Sequence, residues 1–133
     1  MTLFHSVATV NIWASDHSKA VDWYSELLDL EPYFERPGYA EFRFGDHATE
    51  FGIIDSHYAS HMTFPGTPAG TIVYWHVDDV MAVLGQLQRM GATELEPPKD
   101  RGNNFVTATV IDPFGNIIGI MHNPHYVNAL NKQ

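Results

Sequence analysis

The stretch Ser15-Asp16-His17-Ser18-Lys19-Ala20-Val21-Asp22-Trp23-Tyr24-Ser25-Glu26-Leu27-Leu28 decides the fold, because its outline returns as Asp78-Asp79-Val80-Met81-Ala82-Val83-Leu84-Gly85-Gln86-Leu87. In the first copy the apolar residues Ala20, Val21, Tyr24, Leu27 and Leu28 fall at helical spacing, while Lys19, Asp22 and Glu26 lie elsewhere. The spacing predicts a helix over 16–28, its free N–H groups capped by Ser15 or Asp16. In the second copy Val80, Val83, Leu84 and Leu87 repeat the pattern, predicting a helix over 79–90 that Gly91 ends as a C′ residue.

Strand-like runs surround each helix. Val7–Ala14 precedes the first, and Pro32–Glu35, Ala40–Gly45 and Ala48–Asp55 follow it. Thr71–Val77 precedes the second, followed by Thr93–Glu96, Phe105–Asp112 and Ile117–His122. Asp46 and the turn Asp112-Pro113-Phe114-Gly115-Asn116 break the last two strands of each half. Asp16 and Asp79, Asp46 and Asp112, and Gly52 and Gly119 occupy matching places, so one βαβββ unit is duplicated. The expected organisation is a single α+β domain over 1–133: a module at 7–55, a Ser, His, Pro and Gly-rich linker at 56–70, a module at 71–123 and a tail at 124–133. Tyr126–Leu130 is read as a short terminal helix.

Composition sets the remaining bounds. A chain of 133 residues with 44% hydrophobic and 13% aromatic side chains can fill a core of its own. It has no cysteine, which removes disulfides, thiolate metal sites and cysteine nucleophiles together. Seven basic against sixteen acidic residues leave a formal charge of −9. That balance argues against nucleic-acid and anionic-membrane partners and suits a soluble protein, or one whose ligand is cationic. No stretch has the length or flanks of a membrane span or leader, so the expected location is cytoplasmic.

The tandem unit resembles the vicinal oxygen chelate superfamily, which groups glyoxalase I, bleomycin-resistance proteins and extradiol dioxygenases. The resemblance is carried by Ala14-Ser15-Asp16, Ala20-Val21-Asp22-Trp23-Tyr24 and Leu27-Leu28, by Val77-Asp78-Asp79-Val80 through Gly91-Ala92, and by the Asp112–Asn116 turn. It runs from about Val7 to about Asn123. It implies curved mixed sheets around a cavity and, in the metal enzymes, one ligand on the first and one on the last strand of each half. It also implies pairing of modules across chains, hence a homodimer.

Strand alternation assigns the faces. Val10, Ile12 and Ala14 suit the helix side, leaving Thr9, Asn11 and Trp13 for the cavity. Phe51 and Ile53 turn inward, leaving Glu50, Gly52 and Ile54, and Glu41 and Arg43 share their parity. In the second half Ile72, Tyr74 and His76 face the cavity with Ile117, Gly119 and Met121. The four positions that match the family's metal ligands read Thr9, Gly52, Ile72 and Gly119, a set without nitrogen or carboxylate donors. The paired glycines are expected to leave room for a ligand.

The candidate ligand-binding residues are Asn11, Trp13, Glu41, Arg43, Glu50, Gly52, Tyr74, His76, Phe105, Gly119 and Met121. Glu50 is expected to pair with Arg43 across adjacent strands, and His76 to hydrogen-bond within the cavity. Trp13, Tyr74 and Phe105 offer an aromatic wall. His57, His61, His122 and His125 are assigned to solvated linker and C-terminal loop, and Pro97–Asn104 to a long polar loop, either a lid over the cavity or plain surface. The leading expectation is a protein that binds a small organic ligand without cofactor or metal. The alternative is a metal-dependent lyase, isomerase or dioxygenase with a divalent ion shifted to His76 and Glu50, helped by Asn11 or Tyr74. A third reading is a module that mainly dimerises.

Overall fold

In a computed structural model of the chain, residues 7–45, 48–58 and 72–131 are described. The chain divides into two compact units, residues 1–64 and 65–133.

The first unit runs β1 (Thr9–Ala14), α1 (His17–Leu28), β2 (Phe34–Arg36), β3 (Tyr39–Phe44) and β4 (Thr49–Asp55), followed by a 3-10 turn at Ser56–Tyr58. Its four strands lie in the order β1-β4-β3-β2. β1 is parallel to β4, and the other pairs are antiparallel. Asp16 caps α1, its side chain accepting from the Lys19 N–H at 3.2 Å. Register places Val10 beside Phe51, Ile12 and Ala40 beside Ile53, and Phe42 beside Phe51. α1 buries Ala20, Val21 and Tyr24, the Tyr24 ring meeting Phe51 at 5.1 Å. Phe42 and Ile53 are fully buried, so period-two patterning of the strands and helical patterning of α1 meet in one core.

The second unit repeats the plan: β5 (Val73–His76), α2 (Val80–Arg89), β6 (Thr93–Gly102), β7 (Phe105–Ile111), β8 (Ile117–His122) and then α3 (Pro124–Asn131). The strand order is β5-β8-β7-β6, with β5 parallel to β8. Asp79 caps α2 by accepting from the Ala82 N–H at 3.1 Å, in the same role as Asp16. Gly91 takes φ +97° just beyond the helix, as its assignment to C′ requires. Leu84 and Leu87 of α2 join Ala108, Val110, Ile118 and Ile120 in the core. At the β7–β8 turn Asp112 Oδ1 accepts from the Phe114 and Asn116 N–H groups at 2.9 and 2.8 Å.

Three expectations need correction. Pro97–Asn104 is not a long loop: β6 continues through Gly102, and the connection to β7 is the two-residue turn Asn103-Asn104, both at positive φ. That is the backbone a tight hairpin demands, and asparagine tolerates it. Pro97 and Pro98 sit among register shifts on an edge strand, where a missing N–H is harmless. His122 and His125 lie in β8 and α3 rather than in a loop. The terminal helix starts at Pro124, two residues earlier than its predicted start. Asp46, His61 and linker residues 59–70 lie outside the described residues.

Candidate functional site

Each sheet has a face turned away from its helix, and the registers fix its occupants. In the first unit Thr9 stands beside Glu50 and Arg43, Asn11 beside Gly52 and Glu41, and Trp13 beside Ile54 and Tyr39. The Thr9 hydroxyl donates to Glu50 Oε1 at 2.8 Å. Arg43 reaches the other Glu50 oxygen at 3.5 Å, the expected cross-strand pair, and its guanidinium lies 3.8 Å from the Tyr33 ring centroid. The Tyr39 hydroxyl donates to Glu41 Oε1 at 2.5 Å. Tyr33, Arg43, Glu50 and Thr9 thus form one set of contacts on this face, and Tyr39 with Glu41 a second beside it.

The electrostatics of this face favour holding over proton transfer. Burial, the bond to Glu41 and the negative charge of Glu41 and Glu50 push the Tyr39 phenol up to about 12, so it stays a donor at neutral pH. The Thr9 hydroxyl, with the Arg43 guanidinium, holds Glu50 below the usual carboxylate range. Neither Tyr39 nor Glu50 is poised near pH 7, where a general acid or base works best. Tyr39 was not among the predicted site residues, although the 39, 41, 43 alternation puts it beside Glu41.

In the second unit the corresponding face carries Tyr74, His76, Gly119, Met121, Thr107 and Thr109. Thr109 donates to Glu96 at 3.1 Å and Arg101 to Thr107 at 3.0 Å, tying β6 to β7. His76 Nδ1 accepts from the Asn123 N–H at 3.1 Å, which places the proton of the neutral ring on Nε2. That nitrogen lies 3.6 Å from Asp78 Oδ1. The His76 ring stacks on Tyr126 at 4.5 Å and meets His122 at 5.3 Å, while His125 lies edge-on to Phe105 at 5.1 Å. His57 is exposed, as its assignment to solvated surface expects, and pairs with Asp55 at 2.5 Å. The aromatic wall is split between units, with Trp13 in the first and Tyr74 and Phe105 in the second.

The room above both glycines is filled by the chain itself. A Cβ on Gly52 would meet Asn11 Oδ1 and lie 2.7 Å from the Tyr39 hydroxyl; one on Gly119 would lie 2.6 to 2.9 Å from the Tyr74 ring. The Thr9 hydroxyl is engaged, and Ile72 has no donor. These four positions do not fit a glyoxalase-type divalent ion, which needs nitrogen and carboxylate donors. His76 and Glu50 lie in different units. Among the described residues no three His, Asp or Glu side chains are grouped to hold a metal. A concavity of about 440 Å³ lies elsewhere in the first unit, between α1 and the β2–β3 hairpin, lined by His17, Asp22, Arg36 and Tyr39 among others. None of the predicted ligand-binding residues lines it.

Residues 6–120 match the family model of the Glyoxalase/Bleomycin resistance protein/Dioxygenase superfamily. No curated protein matches the sequence. Among solved structures the chain is similar to a glyoxalase-related enzyme from Fulvimarina pelagi, at 18% identity and TM-score 0.72 over 91% of this chain and 90% of that one. A superfamily member from Sphaerobacter thermophilus gives 20% identity and TM-score 0.73 over 92% and 100% of the two chains. A lactoylglutathione lyase from Agrobacterium tumefaciens gives 17% identity and TM-score 0.70 over 92% and 96%. At these identities the likeness speaks for the fold alone.

Proposed function

We propose a function from one premise: the chain belongs to the Glyoxalase/Bleomycin resistance protein/Dioxygenase superfamily. Within it, the protein binds a small organic ligand, neutral or cationic, without a divalent metal. The observation that carries this reading is the first unit's open face, where Tyr39 with Glu41 and Arg43 with Glu50 form satisfied polar pairs beside the exposed rings of Tyr33 and Phe34. Fixed donors and acceptors set among aromatic surface are what orient an organic ligand. Ten of the sixteen acidic residues, but only three of the seven basic ones, lie in residues 1–64, which disfavours an anionic ligand. The proposed contacts are Asn11, Trp13, Glu41, Arg43, Glu50 and Gly52 in the first unit and Tyr74, His76, Phe105, Gly119 and Met121 in the second. The proposal takes residues 1–133 as one domain, acting as a cytoplasmic homodimer with neither nucleic acid nor membrane as partner.

A thermal-shift screen of cationic, neutral and anionic aromatic compounds tests it. At a hundredfold excess over Kd a ligand adds about 2.7 kcal/mol, which moves Tm by several degrees in a chain of this length. The expected result is such a shift from cationic or neutral compounds, lost in Glu50→Gln. Elemental analysis showing near-stoichiometric zinc, nickel, iron or manganese, removed by His76→Ala, would overturn the reading in favour of a metal-dependent lyase, isomerase or dioxygenase. A complete screen without a shift leaves a module that dimerises.

A further inference from the structure

The contacts that hold α3 converge on one imidazole. Asn123, the residue before the helix, donates its backbone N–H to His76 Nδ1 at 3.1 Å. Its side-chain Oδ1 accepts from the His125 and Tyr126 N–H groups at 2.9 and 3.3 Å, capping the helix, and its Nδ2 points at Met121 Sδ 3.7 Å away. The Tyr126 ring stacks on His76 with 22° between the planes, and His125 packs edge-on against Phe105. His76, Phe105 and Met121 all belong to the open face of the second unit. An eight-residue helix is too short to persist in water on its own, so α3 exists because it is docked.

We propose that α3 is a pH-released clasp on the open face of the second unit, held while His76 is neutral and freed when His76 is protonated. The asymmetry lies in the hydrogen-bond inventory. Neutral imidazole offers one acceptor, which the Asn123 N–H uses; the imidazolium offers only donors, and donor would face donor. The groups that face the ring are the Asn123 N–H, Tyr126, His122 and Asp78. His122, whose ring lies 5.3 Å away, opposes a charge on His76 whenever it carries one itself. Asp78 favours the charge from 3.6 Å, but its carboxylate is fully exposed and screened by water and salt. The Asn123 N–H suits only the neutral ring, whereas Tyr126 stacks on either form and the exposed Asp78 is a screened partner for the cation. Release would bare His76, Phe105 and Met121. That this regulates ligand access rests on the proposed binding function; the clasp itself does not.

Amide hydrogen exchange on the full-length protein at pH 7.5 and 5.0, corrected for intrinsic rates, reads the clasp without any ligand. In the wild type, protection of the Val127 N–H, which bonds to the Asn123 carbonyl at 3.3 Å, should fall at least tenfold at pH 5.0. The Val110 N–H, in the core of β7, should keep its protection. His76→Asn, whose Oδ1 stands in for Nδ1 and does not titrate, should abolish the pH dependence. Tyr126→Ala should exchange fast at both pH values. Equal wild-type protection at the two pH values would overturn the proposal, as would His76→Asn with undiminished pH dependence. Should His76→Asn fail to fold, the wild type decides. Loss of α3 protection must share its midpoint with the His76 ring in an NMR titration, and sharing it with His122 or His125 instead overturns the assignment. A failed ligand screen leaves these outcomes unchanged, so clasp and binding site stand or fall separately.

Discussion

Gly52 and Gly119 are glycines because of what lies over them, not because of their backbone. Neither has a positive φ, yet a Cβ at Gly119 would lie 2.6 Å from the Tyr74 ring, and one at Gly52 would press on Asn11 and Tyr39. Overlap of this kind in a packed site costs about 1–3 kcal/mol. Gly119→Ala should therefore lose about that much stability in urea unfolding. Because the overlap is with the Tyr74 ring, the double variant Gly119→Ala, Tyr74→Ala should show coupling of 0.5 kcal/mol or more (about the lower end for residues in contact). Additive single effects would show that the ring does not create the need for glycine. Gly52→Ala should cost more, since Tyr39 is anchored by its bond to Glu41. The same geometry replaces the expectation that the two glycines leave ligand room: each accommodates a neighbouring side chain.

Both helices depend on an aspartate that precedes them, with no acidic residue in either first turn to share the work. Asp79→Ala should cost about 1 kcal/mol and Asp79→Asn much less, because asparagine caps equally well. Thermal unfolding of the two variants checks this; equal losses in both would point to charge rather than to the hydrogen bond. The duplication was legible in the sequence because its markers recur in the same order in both halves, and these caps and the helical periodicity because each depends on neighbours within a few residues. The parity of Glu41, Arg43 and Glu50 was legible for the same reason, and it brought the Arg43–Glu50 pair with it. β6 was not, because Pro97-Pro98 and Asn103-Asn104 read as loop until the register shifts and the two-residue turn are seen. Nor was the partner of His76: Asn123 is 47 residues away, and nothing local marks it. Tyr39 over Gly52 is a diagonal contact between adjacent strands, which alternation alone does not specify.

Each sheet carries its helix on one face, and the other face exposes side chains that water solvates poorly: Tyr33 is 59% exposed, Phe34 45% and Tyr74 39%. Apolar surface gathered in this way favours association between copies of the chain. No helix among the described residues is long and apolar enough to cross a membrane. Sedimentation at micromolar protein should give about 30 kDa, twice the 15.0 kDa chain. Charge makes the expectation sharper. Two chains of formal charge −9 repel each other across any contact, and that repulsion is screened over about 10 Å at 0.1 M salt and about 3 Å at 1 M. Apolar burial is not weakened by the same salt. The dimer should therefore tighten as sodium chloride rises from 0.05 to about 0.5 M, the opposite of an interface built on ion pairs. A 15.0 kDa species throughout that range would rule out the dimer, and dissociation with salt would assign the contact to charge instead of the aromatic faces.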